Sequence, residues 1–368
     1  MVILINIKVM CMKLFFTLLL LFVSYVDLIA SDADSLRPRI VEFPRHIHLY
    51  TKIGPSYSQI EIDNPDIDES LLFKPNPQSL IGFGFSYSWL GLGFSLQLPA
   101  EPGNLEKYGK TQKFDFEAHI TARRFMVDLT LKSYKGFYFF NADDYIDSWN
   151  DGDDYPQIPN LQTVSIATSF AYIFSPDRYS ANAAYSHTKA MRRSGGSWML
   201  GGYISLNGVG SDSSIVPLVI KEYVDPKLDI RNVIFSNFGI SFGYSHLFTL
   251  WRKYYISFTL LPGLSFQNVV QQSSIDNTVK EFNALSMRNI TRFSLGKNGD
   301  KFYWGLSAYV ESTFLKHNSS QLALNSGHTE IFLGYRLDTS NWRFMKGVDR
   351  VMHPRFLRFI TGKPPVRE

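Results

Sequence analysis

The chain has 368 residues with 37 Lys+Arg against 33 Asp+Glu, a formal net charge of +4; with no basic run or basic helix, this gives no electrostatic footprint for nucleic acid. Charged residues make up 19 % and aromatics 15 %, against roughly 25 % charged in average usage, so the chain is short of the charge an aqueous surface carries. Mean hydropathy is only −0.09, and beyond the N-terminus no window approaches the ~20 apolar residues of a spanning helix; a membrane protein of this composition has to cross with strands.

Lys13 precedes the apolar run at residues 14–23, Asp27 interrupts it, and Ala30-Ser31 offers small residues for cleavage. Residues 1–30 therefore read as a secretory signal peptide, for which Met12-Lys13 is a better start than Met1. The single cysteine, Cys11, lies before the apolar run and so is no lipobox. A chain without its leader has no disulfide, no thiolate nucleophile and no Cys-based zinc site.

Residues 31–45, with Pro38 and Pro44, read as a periplasmic lead-in. Residues 46–62 alternate loosely through Ile47, Leu49, Ile53, Tyr57 and Ile60, and a Pro- and acid-rich loop follows at 64–77. Ile81, Phe83, Phe85, Tyr87 and Trp89 alternate with glycine and serine; the phase flips at Leu90-Gly91, and Leu92, Phe94, Leu96 and Leu98 continue. A small inward face of this kind leaves room for a close neighbour. After a polar loop at 99–112 comes the clearest hairpin. Phe114, Phe116, Ala118, Ile120 and Ala122 alternate with Lys113, Asp115, Glu117, His119, Thr121 and Arg123. At Arg123-Arg124 the phase reverses, and Phe125, Val127, Leu129 and Leu131 alternate with Asp128, Thr130 and Lys132. Successive strand side chains point to opposite faces, so one face is apolar and the other charged, as in a barrel with lipid outside and a wet lumen inside.

The aspartate-rich segment 136–160 reads as the longest loop so far. Strands follow at 163–174, 181–187 (weaker), 198–206, 238–244, 254–260, 282–295, 302–314 and 330–337, with turns at Pro176-Asp177, residues 192–196, residues 251–253 and Asn298-Gly299 and a polar loop at 269–280. That makes thirteen, and bacterial barrels have an even number, with short periplasmic turns and long external loops. Either residues 215–221 add a strand and give 14, or residues 181–187 are not a wall strand and give 12. Pro217 weakens the first repair, so the fold expected is an antiparallel transmembrane β-barrel of 12 strands, with 14 as the alternative. Such barrels commonly end on an aromatic residue read by the barrel-assembly machinery. This chain instead continues past Leu337 into a tail at 338–368, for which a short periplasmic helix at 348–361 is expected. The alternative places Arg350, Arg355 and Arg358 on a surface helix lying against the membrane.

The segments Ser133-Tyr134-Lys135-Gly136-Phe137-Tyr138, Arg193-Ser194-Gly195-Gly196-Ser197 and residues 211–217 (SDSSIVP) resemble an uncharacterised outer-membrane barrel family of Bacteroidetes, known as domain of unknown function 4421. The resemblance spans roughly residues 45–337. It implies the outer membrane as location and brings no activity, cofactor or catalytic residue; the tail is longer than it implies.

Two polar constellations stand out. Asp147, Asp151, Asp153 and Asp154 offer oxygens to a hard divalent cation, which would bridge lipopolysaccharide phosphates; the alternative is a solvated external loop. Trp149 and Ile158 stand where an EF-hand needs ligands, so it is no EF-hand. Asp115, Glu117, His119, Arg123, Arg124, Asp128 and Lys132 are expected to face inward as a paired lumen network, since a lipid-facing charge costs about 2–4 kcal/mol at the midplane. The competing reading is a catalytic or selective cluster. Ser186-His187 and Ser245-His246 are adjacent in strands and so point apart, and no G-x-S-x-G occurs. His46 and His48 share a face but lack a visible third metal ligand. The reading is an outer-membrane barrel of 46–337, a structural or envelope protein or narrow pore, with lipid and lipopolysaccharide as partners and no cofactor beyond that cation. The alternatives are a lipid-modifying hydrolase and a soluble secreted all-β binding protein.

Overall fold

The computed structural model describes residues 38–64, 69–146, 148–150, 152–223, 229–317 and 320–354. The leader, most of the lead-in, Asp147, Asp151 and the tail beyond Pro354 lie outside these residues.

In chain order the strands are β1 (Ile40–Glu42), β2 (His46–Asn64), β3 (Glu69–Lys74), β4 (Ser79–Tyr87), β5 (Leu90–Gln97), β6 (Gln112–Thr121), β7 (Phe125–Phe139), β8 (Gln157–Ile173), β9 (Lys189–Met191), β10 (Gly195–Gly210), β11 (Ile230–Leu250), β12 (Tyr254–Ser273), β13 (Val279–Asn298), β14 (Phe302–His317) and β15 (Ser320–Asp338). Among the described residues there are also two short α-helices, α1 (Pro102–Tyr108) between β5 and β6 and α2 (Met345–Met352) after β15. All ladders are antiparallel, and the ring closes where β15 pairs with β2, for instance Leu333 with Thr51. Twelve strands make the wall. The thirteenth in the sheet, β3, spans the gap above the short strands β4, β5 and β6, pairing Phe73 with Ile60 of β2 and with Phe139 of β7.

The period-2 pattern decides which way each side chain points. Ile240 and Leu264 are 68 % and 62 % exposed on the outside, whereas the neighbouring Ser241 and Ser265 are buried inside. In the β6–β7 hairpin, Phe116 pairs with Leu131 and Ala118 with Leu129 outside; His119 pairs with Asp128 and Asp115 with Lys132 inside. The outward apolar belt starts at the short turns, with Leu49, Phe85, Phe170, Trp198, Phe258, Phe302 and Tyr335 exposed. On β12 it runs from Tyr254 to Phe266, after which Asn268 and Gln272 face out. About ten tilted residues cross a bilayer core, so strands of 16 to 21 residues such as β10 and β11 rise well beyond the belt at the end away from the termini.

The β4–β5 turn is Ser88-Trp89, slightly earlier than the phase flip suggests, and Ser88 sits at φ 57°. At the β11–β12 turn, Trp251 and Arg252 both take positive φ (44° and 65°), the hand that matches strand twist in tight hairpins. The inward glycines of β4 and β5 do make room for neighbours. A Cβ on Gly91 would stand 1.9 Å from His119 Nε2, and one on Gly84 would stand 2.3 Å from the Tyr50 ring.

Residues 181–187 are not a strand. They form a π-helical turn, Asn182–Ser186, in a segment that folds back into the mouth of the barrel. Residues 215–221 are not a strand either; Leu218–Tyr223 is a 3₁₀ turn in the loop between β10 and β11. The loop expected at 269–280 shrinks to 274–278, because β12 and β13 pair out to Gln272 and Val279. The tail helix begins earlier than expected, at Met345. Among the described residues no helix is long and apolar enough to cross a membrane.

Candidate functional site

Because inward positions alternate with outward apolar ones, the mid-barrel lumen collects charge from both halves of the chain. Lys52 of β2 sits between two carboxylates, 2.9 Å from Glu117 Oε2 and 3.0 Å from Glu330 Oε2. His328 Nδ1 lies 3.5 Å from Glu117. Arg292 meets Asp128 at 2.6 Å, and Arg288 meets Glu311 at 2.7 Å. Tyr309 donates to Glu311 at 2.7 Å and offers its ring to Arg292, 5.1 Å from the centroid. Asp115 accepts from Ser56 and Tyr134, both at 2.8 Å, rather than from its ladder partner Lys132. Lys132 Nζ and His119 Nε2 are buried without a hydrogen-bond partner among the described residues. A cavity of about 150 Å³ lies within this layer, lined by Lys52, Glu117, His119, Asp128, Arg292 and Glu330 among others.

The segment between β8 and β10 roofs this cavity on the side of the chain termini. Tyr179, Ala183, Ala184 and His187 are buried. His187 Nε2 shares a hydrogen bond of 2.8 Å with Tyr255, and its ring stacks on Tyr303 at 4.6 Å. Arg336, only 2 % exposed, holds the segment from the wall. It donates to the His187 carbonyl at 2.7 Å, to Asn298 Oδ1 at 2.5 Å and to the Gly299 carbonyl, and its guanidinium lies 3.9 Å from the Phe43 ring. The strand β9 within this segment pairs with β1, so the N-terminal stretch is laced to it. At the opposite end the lumen is filled by an apolar cluster including Ile60, Phe73, Phe139, Leu161, Phe235 and, from the 3₁₀ loop, Ile215 and Ile220.

The seven residues expected in a lumen network divide. Asp115, Glu117, His119, Asp128 and Lys132 project inward. Arg123 and Arg124 do not: they lie in the β6–β7 turn, where the ladder ends and the alternation no longer sets direction. Arg123 pairs with Asp177 at 2.5 Å, both largely exposed, and Arg124 reaches the Tyr172 hydroxyl at 2.8 Å on the outer rim. Of the four aspartates expected near a cation, Asp147 and Asp151 lie outside the described residues. Asp153 accepts from the Asn150 amide at 2.9 Å, and Asp153 and Asp154 are both exposed. Among the described residues no group of three His, Cys, Asp or Glu is arranged to hold a metal ion. His48 is fully buried, with Phe43 and Tyr303 packed on its ring at 6.2 and 6.1 Å.

Ser186 and His187 point apart, toward Thr188 and Tyr255, and so do Ser245 and His246, toward Thr259 and Tyr244. Ser88 Oγ does meet His353 Nε2 at 3.1 Å, at the rim where α2 docks. The inward partners missed from the sequence are Lys52, Arg288, Arg292, Glu311, His328 and Glu330. On β13 the outward face carries Asn289 and Thr291 while Ile290 faces in, which hides the parity of its arginines. On β2 the inward Ile60 and Ile62 belong to the apolar cluster, and they blur the alternation around Lys52.

At 9 % identity the chain is similar to the outer membrane protease OmpT from Escherichia coli, with a TM-score of 0.37 over 80 % of this chain and 98 % of that one. It is similar to the translocator domain of the autotransporter NalP from Neisseria meningitidis at 9 % identity, with a TM-score of 0.32 over 79 % and 88 %. It is also similar to the P. putida toluene transporter TodX at 7 % identity, with a TM-score of 0.24 over 80 % and 91 %. No protein of curated function matches the sequence. The family model described as Domain of unknown function (DUF4421) matches residues 40–337, most of the chain, and the chain belongs to that family.

Proposed function

We propose that the protein is an outer-membrane β-barrel that stands closed at rest and serves as an envelope or structural protein rather than an open diffusion pore. On the resemblance noted in the sequence, the cell is one of the Bacteroidetes, and residues 1–30 are removed on export. The observation that carries the reading is a ring with its apolar side chains outside and its own residues packed inside. A two-sheet soluble protein buries its apolar faces against each other; here Phe238, Ile240 and Phe242 are more than half exposed on the outer wall. Its neighbours in that setting are lipid, with lipopolysaccharide on the outer leaflet, and the barrel-assembly machinery inserts it. Among the described residues the lipid-modifying alternative is left with the Ser88–His353 contact, which holds α2 to the β4–β5 turn.

A second reading, a narrow pore gated by the 175–194 segment, is favoured by the charged cavity directly behind that segment. Gel migration of boiled against unboiled protein, followed by planar-bilayer conductance, tests both. The expected result is a heat-dependent shift and a silent intact barrel. Resting conductance would overturn the closed reading. Replacing residues 176–193 by a short linker separates the two roles: new conductance supports the gated pore, and continued silence supports a structural barrel.

A further inference from the structure

The helix α2 presents an outer face that none of the described residues covers. Its rotation is fixed from beneath. Trp89 Nε1 donates to the Met352 carbonyl at 2.7 Å, Ser88 meets His353 at 3.1 Å, and the Tyr87 hydroxyl donates to Asp349. Upstream, Thr339 donates from its amide and its hydroxyl to the Arg45 carbonyl at 2.8 and 2.7 Å. These ties bury Met345, Asp349 and His353 against the wall. What is left outside is Arg343, Phe344, Lys346, Arg350 and Val351, with Phe344 64 % and Val351 78 % exposed. The only acid from residue 341 to 354 is Asp349, which is buried and bonded to Tyr87, so the exposed face carries cations and apolar groups without an acid. None of the three cations forms an ion pair among the described residues.

The place of the helix matters as much as its composition. It is pinned to the Ser88-Trp89 turn, and Phe85, exposed on the outer wall, is three residues from that turn. The basic and apolar face thus continues the lower edge of the apolar belt, on the side of both termini. Mixed basic and apolar side chains on one face are what an interfacial helix uses, apolar groups entering the headgroup boundary and cations meeting phosphates.

We propose that α2 is a lipid-contact site that binds the anionic headgroups of phospholipids in the leaflet facing the periplasm. This rests on the outer-membrane reading above. Phe344 and Val351 enter the boundary between headgroups and acyl chains, and Arg343, Lys346 and Arg350 meet headgroup phosphates. Near an anionic surface each basic side chain strengthens attachment roughly fivefold, so the three together respond strongly to lipid charge.

The test uses the full chain with Cys11→Ser and Val351→Cys, the new thiol carrying a polarity-sensitive fluorophore. It is reconstituted in vesicles of phosphatidylcholine alone or mixed with phosphatidylglycerol. The expected result is a blue-shifted emission that deepens with phosphatidylglycerol, the lipid-dependent part disappearing in Arg343→Gln/Lys346→Gln/Arg350→Gln. A probe in a fully aqueous environment in both bilayers would overturn the proposal, and so would a shift indifferent to phosphatidylglycerol. The heat-dependent gel shift is read on the same samples. Its loss would mean the barrel reading has failed, whereas a retained shift with a wet probe would sink the lipid site alone.

Discussion

Lys52→Met removes the cation between Glu117 and Glu330 while keeping much of the side-chain volume. In the folded barrel the Lys52 side chain is 9 % accessible, and its ammonium lies 2.9 and 3.0 Å from the two carboxylates. At an effective dielectric of ~20, each such contact is worth roughly 5 kcal/mol of Coulomb energy before desolvation is charged against it. Breaking a buried pair from one side leaves the partner's desolvation unanswered and costs about 3–5 kcal/mol. Here two carboxylates are stranded together, left with a hydrogen bond from the Ser307 hydroxyl to Glu330 at 3.1 Å and with His328 at 3.5 and 4.0 Å. The loss expected is therefore at the upper end of that range. Urea unfolding of the reconstituted barrel, followed by tryptophan fluorescence, measures it. Lys253→Met is the control, because Lys253 and Asp300 are 44 % and 60 % exposed and an exposed pair contributes no more than about 1 kcal/mol. Adding Glu117→Gln and Glu330→Gln to Lys52→Met restores most of the loss, since no buried charge is then unpaired. If Lys52→Met costs no more than the control, the mid-lumen layer is solvated and the argument for a packed interior is wrong.

Gly91→Ala places a methyl group 1.9 Å from His119 Nε2 and is expected to destabilise by about 1–3 kcal/mol, the usual penalty of overpacking. The same urea titration should show His119→Ala in the same chain recovering part of it; an indifferent Gly91→Ala would mean the two strands are not seated this closely. At the short turns, the hydrogen bond from Lys253, helped by Arg192, holds the Asp300 carboxyl below the usual carboxylate range. A lowered folded-state pKa contributes stability above the ordinary value, and that contribution fades as pH falls through the lowered one. Protection against hydrogen exchange at residues 251–253 and 299–301, corrected for the intrinsic pH dependence of exchange, should fall in acid. Asp300→Asn should remove that acid-dependent part, and an unchanged pH profile would count against the pairing.

The closed ring was legible because the belt is nearly pure: in β6 and β7 every outward residue from Phe114 to Leu131 is apolar or alanine. Parity then chose twelve strands over thirteen. What alternation cannot carry is a residue that leaves the ladder. Arg123 and Arg124 look like lumen charges by count, yet they sit in the turn, where no strand neighbour fixes their direction. Residues 181–187 alternate weakly because they pack on all sides inside the mouth, not because they are a poor wall strand. Half of the charge network was out of reach for a different reason. Lys52 and Arg292 find their carboxylates 65 and 164 residues away, at Glu117 and Asp128, and only the curl of the sheet across the lumen brings those positions together.

Arg336 lies on the last strand, while the backbone it grips at His187 belongs to the middle of the chain and the Phe43 ring beneath it to the beginning. The contact with Phe43 needs β15 to lie beside β2, which begins three residues after that ring. A chain that has inserted most of its strands but left that seam open therefore lacks this hold on its mouth. A probe on the His187 segment, followed during insertion, would report whether the mouth locks before or after the seam closes.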